Sequence, residues 1–293
     1  MELRLIKYFL TVAHAGNITK AAETLHITQP TLSRQLVQLE ESLGATLFIR
    51  GKRQITLTNE GVLFQQRAKE IVLLIDKAER ELTERTDAIG GVVSIGCVET
   101  LASRMLPDVL EQFSALYPKV QYNLYSANGD DIREKLDKGF LDIGLLLEPV
   151  ETAKYDFIKL PFVEQWGVLM REDDPLASRD GLRIEEIVDH PLILPQRAIV
   201  QNEIASWFGA AYGKLHVFAT HNLLTNAALL AERGLGYVIC VGGAFSIRQT
   251  NNIRFVPFEP ERTAGHELVW RKNNVLNSAT SLLIQFIRNA YQA

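Results

Sequence analysis

Within the run ITQPTLSRQLVQLEESL (27–43), Thr31, Ser33, Arg34, Gln35 and Gln38 fall on one side of an implied helix. Hydroxyls, carboxamides and a guanidinium are the groups that hydrogen-bond base edges and grip phosphates. A face that merely meets water more often carries Lys–Glu pairs. On the other side Leu32, Leu36, Leu39 and Leu43 recur at steps of 4, 3 and 4, an apolar stripe that would seat the helix on a core. Thr28 and Gln29 offer N-cap chemistry, and Pro30 suits a first turn, where its missing N–H costs nothing. The expected chemistry is non-covalent: a recognition helix laid in the major groove of DNA.

Elements to position it are legible on both sides. Leu3, Ile6, Phe9, Leu10 and Ala13 have helical spacing and stop at Gly16, a natural C-cap. Asn17 can cap a second helix whose inward positions are Ile18, Ala21, Ala22 and Leu25, with His26 and Ile27 as the turn; the small Ala pair permits a close helix crossing. After Gly44, a strand at Leu47–Phe48–Ile49, a basic turn at Arg50–Gly51–Lys52–Arg53 and a return strand at Ile55 and Leu57 read as the wing of a winged helix. The candidate DNA contacts are Thr28, Gln29, Pro30, Thr31, Ser33, Arg34 and Gln35, with Arg50, Lys52 and Arg53 at the wing tip over flanking phosphates or minor groove. Thr58 then caps a long helix whose Phe64, Ala68, Ile71, Ile75, Ala78 and Leu82 form a heptad seam. At about 1.5 Å per residue it is a rod of roughly 40 Å. Such a seam predicts a dimer, which would set two recognition helices roughly 34 Å apart on an interrupted inverted repeat. DAIGG (87–91) reads as a hinge.

The whole chain sets the limits. Its 293 residues predict about two domains, and 47% hydrophobic with 23% charged residues exclude global disorder. Net charge is −4, yet residues 1–58 carry seven Lys/Arg against four Glu, while 87–293 carry 19 Lys/Arg against 25 Asp/Glu. A basic head on an acidic body suits a DNA-binding module carried by a partner domain. Cys97 and Cys240 lie in apolar runs without metal spacing and read as small buried hydrophobes. No run approaches the 18 apolar residues of a membrane span, and the apolar start is too short for a signal peptide, so a cytoplasmic protein is expected. GxSxG, P-loop, GxGxxG and HExxH motifs are absent and the six histidines are scattered, so no catalytic residue, metal site or cofactor is expected.

The segment NITKAAETLHITQPTLSRQLVQLEESLGATLFIRGKRQITLTNEG resembles the N-terminal signature of LysR-type transcriptional regulators. Ala21–Ala22, Gln29–Pro30, Leu32–Ser33, Leu39–Glu40, Leu43–Gly44, Leu47–Phe48, Leu57–Thr58 and Gly61 stand where that pattern puts them. The resemblance implies DNA contacts at Gln29, Thr31, Ser33 and Arg34 and on the wing at Arg53. It also implies a bacterial, ligand-responsive regulator acting as a homodimer or homotetramer and contacting RNA polymerase.

The body fits. From residue 92 a βαβαβ order predicts a parallel sheet with right-handed crossovers. The pattern restarts near Phe162: strands at VEQWGVLM, PLILP and HVFA, helices near 184–188, over 202–212 and over 223–233, a strand over 236–240, strands near Phe255 and Leu268, and a helix over 278–291. The expected architecture is α/β with an α-rich N-terminal winged helix-turn-helix (1–58), a linker and dimerisation helix (59–86), a hinge (87–91) and a two-lobed, periplasmic-binding-protein-like effector domain (92–293). Lobe I would comprise 92–161 and 265–293, and lobe II 162–264, with crossings near Pro161 and Gly265. Strand C-termini and helix N-termini place the effector contacts at Thr100, Ser103, Asn128, Glu148, Gln196, Arg197 and Asn222. Arg197 would pair an effector carboxylate or phosphate, whereas Glu99, where the family usually has small hydroxyl residues, argues against a simple carboxylate.

Overall fold

Leu5, Ile6, Phe9 and Val12 form the buried face of α1 (Leu3–Ala15), which ends on Gly16 at φ +60°. α2 (Ile18–Thr24) is capped by the Asn17 side chain, which accepts from Lys20 N, and the turn to α3 (Gln29–Leu43) passes through His26 at φ +54°. β1 (Phe48–Arg50) and β2 (Ile55–Leu57) pair antiparallel as the wing, and α4 (Asn59–Thr83) follows. The computed structural model of the chain describes residues 1–51, 54–83, 89–246 and 252–291. Lys52, Arg53 and the 87–88 part of the expected hinge therefore lie outside the described residues, as do the side chains of Arg50 and Leu82.

The chain divides into two compact units, Met1–Arg85 and Thr86–Ala293. In the first, α4 departs from the expected use of its seam. Phe64, Ala68 and Ile71 pack into the core of α1, α2 and α3, and Phe64 meets Phe9 edge to face at 4.9 Å. Phe9 is fully buried between Phe64 of α4 and Phe48 of the wing, so these seam positions contribute to the module's own core. The exposed apolar residues of α4 are Val62, Leu63, Leu73 and Leu74 instead. Ile75 is half-buried and Ala78 exposed.

In the second unit β3 (Gly90–Cys97) takes Gly90 and Gly91 into a strand, so the expected hinge is at least two residues shorter. α5 (Met105–Leu116), β4 (Lys119–Ser126), α6 (Gly129–Asp137) and β5 (Ile143–Leu147) complete the βαβαβ unit, with β3 parallel to both β4 and β5. β6 (Tyr155–Arg171) starts seven residues before the expected restart and runs unbroken for 17 residues. β7 (Leu192–Pro195), α7 (Ala198–Phe208), β8 (Val217–His221), α8 (Leu224–Glu232), β9 (Tyr237–Val241), the short α9 (Gly242–Ser246) and β10 (Ile253–Pro257) build the second lobe. The helix expected over 202–212 thus starts at Ala198 and gives way to a 3-10 stretch at Gly209, while the one near 184–188 is a 3-10 turn, Ile184–Ile187. β11 (Thr263–Arg271) returns to the first lobe and α10 (Ser278–Tyr291) covers it.

The strands form one sheet, in the order β4-β3-β5-β11-β6-β9-β7-β8, with β10 on the far part of β6. It is mixed, because β11 runs antiparallel to both β5 and β6, and β9 and β10 antiparallel to β6. A strand that crosses and another that returns cannot both follow the parallel direction of the βαβ units. The β6–β11 ladder shifts register between Gly265 and His266, where Pro161 and Phe162 bulge from β6.

Candidate nucleic-acid interface and interlobe cleft

α3 is fixed from beneath by Leu32, Leu36 and Leu39, all almost fully buried, whereas Leu43 is 39% exposed, one step beyond the core's edge. Thr28 caps the helix: its Oγ1 accepts from Thr31 N and lies 2.8 Å from Thr31 Oγ1. Pro30 sits in the first turn. Thr28, Gln29, Pro30, Thr31, Arg34 and Gln38 are exposed, Ser33 and Gln35 half-buried, and Gln35 donates to Gln38 Oε1 at 3.2 Å. The helix therefore offers hydrogen-bonding groups from its N-terminal half outward, where its dipole also favours phosphate.

Two residues of the family pattern whose roles the sequence does not reveal, Glu40 and Gly61, hold the wing to α3 and α4. Glu40, near the end of α3, accepts from Leu47 N at 2.7 Å and Phe48 N at 3.1 Å, starting β1 from a carboxylate. Gly61 lies so close to Leu47 that a Cβ there would overlap its carbonyl oxygen, and Thr58 links both by donating to Thr46 O and accepting from Gly61 N. A charged residue next to a buried leucine stripe was the available signal for Glu40. Ile55 N also donates to Gly16 O, tying β2 to the α1–α2 turn.

In the second unit a cavity of about 110 Å³ opens between the lobes. Its wall is mostly apolar, with Val98, Leu147, Trp166, Val200 and Leu224 among its residues, and the polar members are Glu99, Thr100, Asn128, Arg197, His221 and Asn222. Four of the seven expected effector residues thus meet here: Thr100, Asn128, Arg197 and Asn222. Ser103 points back to donate to Thr100 O, and Gln196 is exposed with its N–H on His221 O. Glu148 lines a different cavity, because the chain turns away after β5.

Most of the polar groups that do meet are already engaged. Asn128 caps α6, accepting from Asp130 N and Asp131 N and donating to Asp131 Oδ2. Arg197, at the start of α7 in the second lobe, donates to Asp130 Oδ1 at 3.1 Å and to the Pro149 carbonyl at 3.4 Å, both in the first lobe. Its guanidinium lies on Gly129, where a Cβ would come within 3.0 Å. The expected ligand anchor is in this structure a clasp across the cleft, and an anion would have to displace Asp130 from it. Asn222 accepts from Leu223 N.

Behind the wall lies a buried polar network that the sequence reading did not find. His266 Nδ1 donates to Phe162 O at 3.0 Å, which leaves Nε2 to accept from Thr100 Oγ1 at 2.8 Å. Burial pulls the His266 pKa down, against opposing pulls from the Phe162 carbonyl and the Glu164 and Glu148 charges, so a neutral ring fits this pattern. Glu164 accepts from Leu101 N at 2.6 Å in one lobe and Gly243 N at 2.7 Å in the other. An ionisable residue inside an otherwise apolar strand run was the signal. His221 in the cleft wall is also pulled down by burial. Both cysteines are buried and neither is in a disulfide; burial and then Glu99 push the Cys97 thiol up to about 12, so it is not a ready redox nucleophile.

Both units match one family. The model described as bacterial regulatory helix-turn-helix protein, lysR family, matches residues 3–62, and that described as LysR substrate binding domain matches 86–292. The chain belongs to the LysR family. It is similar to the Hca operon transcriptional activator HcaR of Escherichia coli (strain K12), 37% identical over 264 residues, covering 88% of this chain and 87% of that one. It is also similar to the HTH-type transcriptional regulator YybE of Bacillus subtilis (strain 168), 29% identical across 98% of both chains. Full-length CbnR complexed with its target DNA shares the fold, with a TM-score of 0.74 at 23% identity over 99% of this chain and 100% of that one. Full-length BenM aligns with a TM-score of 0.55 at 26% identity over 100% and 97%. The protein is a DNA-binding transcriptional regulator of LysR type rather than an enzyme, and its second unit is the family's effector-binding domain. Among the described residues no helix is long and apolar enough to cross a membrane.

Proposed function

We propose that this regulator acts in the cytoplasm as a homodimer or homotetramer, reads an interrupted inverted repeat through two copies of α3, and is switched by a small effector between the lobes of its second unit. The observation that carries the DNA-reading half is the division of α3: three leucines lock it to the core while Gln29, Thr31, Ser33 and Arg34 remain to meet base edges and phosphates. The exposed Val62, Leu63, Leu73 and Leu74 of α4 supply apolar surface for pairing. The small, largely apolar cleft, with Glu99 in its wall and Arg197 already paired, favours a compact ligand with few charges over a dicarboxylate. Binding that shifts the lobe angle would re-space the DNA-reading helices and alter contact with RNA polymerase.

Footprinting of the operator with and without a metabolite panel tests this reading. The expected result is a protected inverted repeat whose boundary shifts with one compact, weakly charged compound. Arg34→Ala should weaken binding about 5- to 150-fold, and Ser33→Ala should relax the choice of one base pair. Full operator discrimination in both variants would remove α3 from the reading role, and a footprint unmoved by every compound would remove the switch.

A further inference from the structure

A second, larger cavity of about 590 Å³ lies in the body, lined by the loop after β5 (Glu148, Pro149, Val150), the start of β6 (Phe157, Lys159), α7 (Ile199, Glu203) and β11 (Thr263, Ala264, Glu267). It shares no lining residue with the interlobe cleft. Three carboxylates converge on it from three elements. Glu267 is only 4% exposed, and its Oε2 is buried with no hydrogen-bond partner. Glu203 Oε2 is likewise buried without one. Two cations face the cluster: Lys159, largely in solvent, lies 3.4 Å from Glu148 Oε1, and Arg262 acts on Glu203 while resting over the Trp207 ring. Glu148 Oε2 is further taken by Gly265 N. One oxygen each of Glu203 and Glu267 thus remains buried without a hydrogen bond, as does Arg262 Nε, a costly arrangement unless a further donor with positive charge is expected there.

We propose that this cavity is a second ligand site, which binds an organic ammonium ion between Glu148, Glu203 and Glu267. The carboxylates are too dispersed for a metal: among the described residues no group of three His, Cys, Asp or Glu side chains could hold one. Pro149, Val150, Phe157 and Ile199 give the rest of the wall an apolar character suited to a short aliphatic body. Without a ligand the site can fall back on protons. Burial, followed by the Glu148 charge, pushes the carboxyls of both Glu203 and Glu267 up, with Arg262 and Lys159 respectively opposing, and a hydrogen bond between the Glu267 and Glu148 side chains raises Glu267 further. A bound ammonium would release any proton held there, so affinity should rise with pH through the raised carboxylate range, while an alkylammonium keeps its charge to about pH 10.

The test is calorimetric titration of the full chain with 1,4-diaminobutane, alongside butane-1,4-diol and magnesium chloride, at pH 5.5 and 8. Expected are saturable binding of the diamine only, tighter at pH 8 than at pH 5.5, and a loss of at least tenfold in Glu203→Gln. Glu203→Gln is preferred over Glu267→Gln because Glu203 is only half-buried; an unchanged circular dichroism melt and unchanged operator binding would show that the variant is folded. Absence of saturable diamine heat, equal affinity for the diol or for magnesium, or full affinity in folded Glu203→Gln would overturn the proposal. None of these results bears on operator reading or on the interlobe cleft, so the two readings stand or fall separately.

Discussion

The two units use polar residues in opposite ways. In the DNA-reading unit the polar face of α3 is turned outward, and only Gln35–Gln38 and the Thr28–Thr31 cap are paired within it. In the effector unit most polar residues around the cleft are bonded within the unit, Thr100 to His266, Asn128 to α6 and Arg197 to Asp130, with Trp166 Nε1 and His221 Nδ1 as the exceptions. The first surface awaits a large, highly charged partner and can leave its groups to water. The second must hold its shape around a small space, where unpaired groups would cost about 1–3 kcal/mol each. Polar substitutions should therefore cost binding in the first unit and stability in the second.

The largest expected effect lies where the first unit depends on backbone rather than polar groups. Gly61→Ala should destabilise the DNA-reading unit by about 3 kcal/mol, because the new Cβ meets the Leu47 carbonyl. Urea melts that follow operator binding should shift, while melts of the effector unit stay put. Next comes pH. His266 has a lowered folded-state pKa, so below about 6.5 the unfolded chain binds the proton first and folding weakens as pH falls. That contribution is about 1.4 kcal/mol per pH unit until the folded-state value is reached, and the stability difference between wild type and His266→Gln should show it. Parallel pH curves for the two would mean that the ring is not held neutral. Asn128→Ala should cost about 1 kcal/mol through its lost cap, read by thermal melting of the effector unit. Smallest is Arg34→Ala: stability within about 0.5 kcal/mol of wild type despite the expected loss of DNA affinity. A destabilisation beyond about 1 kcal/mol there would erase the contrast between the units.

The first unit was more legible than the second for the same reason. Caps such as Thr28 and Asn17, the αL stops at Gly16 and Gly44, and the leucine stripe act within a few residues of themselves. Where contacts come from afar, local spacing does not reveal them. Leu43 has the right spacing but no core above it, and Phe64 follows a heptad yet serves Phe9. In the effector unit, helix starts located Thr100, Asn128 and Arg197, but nothing local says that His266 lies 166 positions from the hydroxyl it accepts from, or that Asp130 already holds the guanidinium. Its position after a strand points Glu148 to the cleft, but the chain turns at Pro149 and Glu148 lines the other cavity.

The long β6 strand belongs to both lobes. Its first part pairs with β11 and its last part with β9 and β10, so the lobes share an unbroken piece of sheet roughly 56 Å long. Such a connection works as a torsion bar. A ligand that drew the lobes together would wind the sheet's twist, most easily at the Pro161–Phe162 bulge where the ladder shifts register. That strain would be returned when the ligand left, and the sheet itself would restore the resting angle.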